Sequence, residues 1–75
     1  MAYRIKEMVD LKKIIYAHDD FIMSTRPFQD FADAAHLTNR YLSSIINRRV
    51  DPGIKAARNI CRVLDVEIED IFEID

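Results

Sequence analysis

Glycine occurs once in this chain and proline twice, about 4% together where an average chain carries roughly 12%. Tight hairpins need such residues at their turns, so few are expected and a helical bundle is favoured. Cysteine also occurs once, at Cys61. A lone thiol closes no internal disulfide and supplies no multi-cysteine zinc site, staples that secreted domains of this size commonly need, so a cytoplasmic location is expected. Long apolar runs are missing as well. Arg4, Lys6, Glu7, Asp10, Lys12 and Lys13 interrupt the first thirty residues, which leaves neither a signal-peptide core nor a membrane span and implies no membrane partner. The mature chain is expected to be the whole chain. His18 and His36 lack a Cys or His partner at metal-ligand spacing, so no metal site and no cofactor are expected. Ser43, Ser44, Cys61 and the histidines include nucleophile and base types. A bundle this small offers little concavity, however, and Cys61 lies on an apolar stripe, so no catalytic residue is assigned and the chain is read as a non-enzyme.

What is present is a globular mixture, 49% hydrophobic and 32% charged over 75 residues. At this length roughly 60% of the unfolded surface can be buried, enough for one modest core and a single domain. The net charge is −2, which by itself argues against a polyanionic partner, because non-specific DNA affinity comes largely from Lys and Arg. The charge is unevenly spread, however. Residues 36–62 contain Arg40, Arg48, Arg49, Lys55, Arg58 and Arg62 against Asp51 alone, whereas residues 63–75 carry six acids and no base. That pattern suits a basic face for a polyanion with an acidic end held away from it; a merely solvated helical surface is the plainer alternative.

Five helices can be drawn. The first has no clear ends: Ile5, Met8, Val9, Lys12, Ile15 and Tyr16 make one stripe, and Leu11, Ile15, His18 and Ile22 another. Pro27 breaks the chain and suits the first position of a second helix with Phe28, Phe31, Ala32 and Ala35 inward. Thr38 is a capping residue for a third helix from Asn39 to about Arg48, with Leu42, Ile45 and Ile46 inward. Asp51-Pro52-Gly53 opens a fourth, with Ile54, Ala57, Ile60, Cys61 and Leu64 on one face and either Asp51 or Gly53 as its cap. A short fifth begins near Glu67, where the acids suit the positive end of the helix dipole and Ile68, Ile71 and Phe72 return to the core.

Two short helices joined by a turn of about three residues, the second exposing Asn39, Arg40, Ser43, Ser44 and Asn47, meet the requirements of a helix-turn-helix. Ala32 is the small residue where the two helices touch, and Leu37 closes the turn. From Phe28 to Phe72 the sequence resembles the Cro and lambda-repressor-like, XRE-type helix-turn-helix family. Its pattern is met by Phe31-Ala32, His36-Leu37-Thr38 and Leu42-Ser43-Ser44-Ile45, then by Asp51-Pro52-Gly53-Ile54, Ile60-Cys61, Leu64-Asp65-Val66 and Ile71-Phe72. His36 stands where that pattern has its turn glycine, and Ile46-Asn47-Arg48 lacks the usual glycine stop. Upstream of Pro27 the register is poor.

The resemblance implies an all-α, compact five-helix lambda-repressor-like bundle. Residues 1–26 would form a divergent first helix and N-terminal extension, and residues 27–75 the helix-turn-helix core and C-terminal helices. It also implies a transcriptional regulator, a repressor of phage or bacterial type, that inserts helix 39–48 in the major groove of double-stranded operator DNA. Asn39, Arg40, Ser43, Ser44 and Asn47 would lie at base edges; Gln29, Thr38, Tyr41, Arg48, Arg49 and Lys55 would contact phosphates. One such module reads only a few base pairs, so a homodimer on a palindrome is expected. Candidates for the dimer contact are Tyr3, Ile5 and Met8, or the terminal helix with Ile74; either set could equally be core. The rival reading is a protein-interaction module on the same fold, an antirepressor, inhibitor or antitoxin whose acidic ends meet a basic regulatory partner.

Overall fold

A computed structural model describes residues 3–74. Five helices and two short strands lie among them: β1 (Tyr3–Ile5), α1 (Leu11–Ala17), α2 (Pro27–Ala34), α3 (Asn39–Ile46), α4 (Ile54–Leu64), α5 (Ile68–Ile71) and β2 (Phe72–Ile74). The five helices match expectation. A strictly all-α fold does not, because β1 and β2 pair antiparallel, with Tyr3 opposite Ile74, Arg4 opposite Glu73 and Ile5 opposite Phe72. Two three-residue strands are not stable by themselves; these persist because Ile5 and Phe72 are both buried in the core. Lys6 continues the ladder, its N–H donating to the Ile71 carbonyl at 2.9 Å.

The N-terminal reading needs further correction. Ile5 belongs to β1 rather than to a helical stripe, and Met8 is 91% exposed in the turn that follows. Asp10 caps α1 by accepting from the Lys13 amide at 3.2 Å. The helix stops at Ala17, so Phe21 rather than Ile22 turns inward, meeting Phe31 edge-on at 5.5 Å between ring centroids. Further along, boundaries fall where capping chemistry puts them. Pro27 occupies the first turn of α2. The Thr38 hydroxyl accepts from the Tyr41 amide at 3.0 Å. Gly53 precedes α4 without a side-chain cap, and the carboxylates of Glu67 and Asp70 form a reciprocal capping box on α5.

Helices α2, α3 and α4 end alike. In each, the first residue in the left-handed region donates to the carbonyl three back, and its successor to the carbonyl five back. The pairs are His36 to Asp33 and Leu37 to Ala32, Arg48 to Ile45 and Arg49 to Ser44, and Asp65 to Arg62 and Val66 to Cys61. These bonds satisfy carbonyls that a helix end otherwise leaves open, and glycine is the residue that usually supplies the turn. Here φ is 59° at His36, 60° at Arg48 and 57° at Asp65. α3 thus closes at Ile46, two residues before the expected end.

One cluster forms the core. Leu11, Ile15, Phe31, Leu42, Ile45, Ile60 and Phe72 are its most fully buried large side chains, and no polar or charged residue is buried among those described. Ala32 is fully buried, as a close approach of α2 and α3 requires. Ile54, expected inside, is 45% exposed, and Ala56 takes the inner position.

Candidate nucleic-acid interface

Because Leu42 and Ile45 anchor α3 to the core, helical geometry sends the residues between them outward. Asn39, Arg40, Tyr41 and Asn47 are exposed; Ser43 and Ser44 are half-buried at the margin. All five expected base-reading residues therefore lie on the side of α3 away from the core, four of them in the helix and Asn47 at its C-cap, with Tyr41 at the edge.

A side-chain relay joins this face to α2. The Gln29 amide donates to Asp33 Oδ1 at 2.9 Å, and its oxygen accepts from Asn39 Nδ2. Asn39 keeps its second N–H and its carbonyl oxygen. At the other end of the face, Asn47 Nδ2 donates to Ser43 Oγ at 3.3 Å. Gln29 was expected at the DNA backbone; its geometry also makes it the residue that orients Asn39, which spacing along one chain does not reveal.

The basic residues divide into two groups. Arg40, Arg49 and Lys55 are exposed. Lys55 sits in the first turn of α4, where no acid is present to offset the helix dipole. Arg48, also expected at phosphate, is exposed as well but has partners within the chain. Its guanidinium turns back to the N-terminal segment, donating to the carbonyls of Ile5 at 2.8 Å, Val9 at 3.2 Å and Lys6 at 3.4 Å. Nearby, Arg4 Nε lies 3.8 Å from Asp51 Oδ2, an exposed pair, which contributes about 0–1 kcal/mol. The one hint in the sequence was a long basic residue where a glycine was expected.

Cys61 is 3% exposed, and burial, with Asp70 and Glu67 adding, pushes its thiol up to about 11, far from a reactive thiolate. No group of three or more His, Cys, Asp or Glu that could hold a metal occurs among the described residues. No described helix is long and apolar enough to cross a membrane.

A family model described as helix-turn-helix matches residues 27–71, from the first residue of α2 to the last of α5. It leaves β1, α1 and β2 outside. No curated protein and no solved structure matches the chain.

Proposed function

This chain belongs to the XRE-type helix-turn-helix family of DNA-binding regulators, and from that premise we propose that it is a sequence-specific repressor that lays α3 in the major groove of operator DNA. The observation that carries the reading is the outer face of α3. Asn39, Arg40 and Asn47 project there from a helix fixed by Leu42 and Ile45, within a segment carrying six basic residues against one acid.

Arg40 has the two parallel donors that match guanine O6 and N7, while Asn39 and Asn47 have the donor and acceptor that match adenine N6 and N7. Ser43 and Ser44 can bond either kind of base edge. Arg49 and Lys55 neutralise phosphates on one side; Gln29, Thr38 and Tyr41 reach the backbone on the other and fix the register of docking. Arg48 has no part in this contact, since its donors face the N-terminal carbonyls. Two copies on a palindrome, with half-sites about 34–36 Å apart, would read enough sequence for an operator. Repression then follows from occupying promoter DNA.

Iterative selection from random duplexes, followed by a salt titration on the enriched sequence, tests the reading. Enrichment of a short palindrome is expected, with Arg40→Ala losing about 1–3 kcal/mol of specific binding and relaxing one base position. If folded protein enriches no sequence at low salt, the DNA-binding reading fails, and a protein partner for the acidic segment becomes the object to capture.

A further inference from the structure

Arg48 occupies a backbone conformation that disfavours it. Left-handed φ costs a residue with a β-carbon about 1–2 kcal/mol, and a glycine there would make the same helix-ending bonds. What the arginine adds is its side chain. Three carbonyl oxygens, of Ile5, Lys6 and Val9, lie within 3.4 Å of its two terminal nitrogens. They belong to β1 and the turn after it, more than thirty-five residues away in sequence. A planar fork offers donors at fixed positions on two nitrogens, whereas the three donors of an ammonium radiate from one rotatable atom and hold no such fixed geometry.

The place of this contact in the fold gives it a consequence for α3. Asn47 and Arg49, on either side of Arg48, are proposed DNA contacts. Arg48 and Ile5 line both clefts that flank the junction. A second tie, Arg4 to Asp51, joins the same strand to the loop between α3 and α4. The C-terminal turn of α3 is thus braced against β1, and β1 is held in turn by β2 and the core.

We propose that Arg48 is a positioning residue for DNA recognition: by clamping the carbonyls of residues 5, 6 and 9, it makes the N-terminal strand part of the mount that holds Asn47 and Arg49 in register. The inference rests on the DNA-binding reading and goes beyond it, since β1 lies outside the matched helix-turn-helix region. The strand touches no base in this scheme, yet affinity depends on its being docked.

Two variants test the clamp on the duplex enriched by the wild-type protein. Arg48→Lys keeps the charge and loses the fork; Arg48→Gly loses both and relieves the backbone. Both are expected to bind about tenfold more weakly, Arg48→Lys as much as Arg48→Gly, because what is lost is the fork that holds Asn47 and Arg49 and not a charge on a phosphate. Hydrogen exchange in the free proteins is expected to quicken at the amides of Lys6, Val9 and Arg49, each now bonded at 2.9 Å. Wild-type affinity in Arg48→Lys, together with a slope reduced by about one in Arg48→Gly, would make Arg48 a phosphate contact and overturn the proposal. A lower melting temperature with undiminished affinity would overturn it too, leaving only a structural brace. If the wild-type protein enriches no duplex, the reading beneath the proposal fails, and the exchange comparison still decides whether the clamp exists.

Discussion

His36, Arg48 and Asp65 share one backbone conformation, and none is glycine, while the single glycine of the chain stands at Gly53 with φ −73°, where any residue fits. The left-handed cost of about 1–2 kcal/mol exceeds the roughly 0.5–1 kcal/mol by which glycine loosens the unfolded chain. His36→Gly is therefore expected to raise stability by about 0.5–1 kcal/mol, read as a higher urea midpoint at constant m. Asp65→Gly should gain less, because a short polar side chain tolerates this region better than a ring. No change at His36 would mean that its ring makes compensating contacts in the native state. Cys61 supplies a prediction of the opposite character. Its thiol stays protonated up to about pH 11 in the folded protein, whereas in the unfolded chain it ionises near 9. Above pH 9 the native state holds the extra proton, so stability falls as pH rises, by about 2–3 kcal/mol at pH 11. Cys61→Ala should remove that share of the alkaline loss in denaturation curves taken from pH 8 to 11.

At the scale of elements, the proposed reading gives residues on and just past α3 separable duties. Arg49 is exposed and sits just past the helix. Arg49→Ala is expected to weaken binding to every sequence alike and to reduce the salt slope by about one, with base preferences unchanged. A change in preference would move Arg49 to a base edge. The starts of α2, α3, α4 and α5 were legible in the sequence because Pro27, Thr38, the Asp51-Pro52-Gly53 turn and the acids after Val66 each carry a local, chemically distinct signal. The first element was not. Ile5, Met8 and Val9 imitate helical spacing, and a three-residue strand is too short for an alternating pattern to register. The outer face of α3 could be read from Leu42 and Ile45, whereas the destination of the Arg48 side chain could not, since it depends on a carbonyl cluster more than thirty-five residues away.

Across the whole molecule, charge and connectivity place opposite demands on the two halves. The basic stretch runs through α3 and α4, and the acids gather on α5 and β2, so a net charge of −2 conceals a polarised surface. α5 draws structural benefit from its acids, two of which form its capping box. The pairing of β1 with β2 joins residues 3–5 to residues 72–74, the longest separation in sequence that any described pair of elements bridges. Closing so long a loop costs entropy before its contacts reward it, so this seam is expected to form late on the folding route. Ile5→Ala, which empties part of the core beneath it, should therefore cost about 2–4 kcal/mol and speed unfolding while leaving the refolding rate nearly unchanged. A slowed refolding limb in stopped-flow experiments would place the seam in the nucleus instead. Since the acceptors for the Arg48 guanidinium lie on this strand and in the turn after it, heat or a pulling force that parts the seam would also free the C-terminal turn of α3, and with it the proposed DNA face.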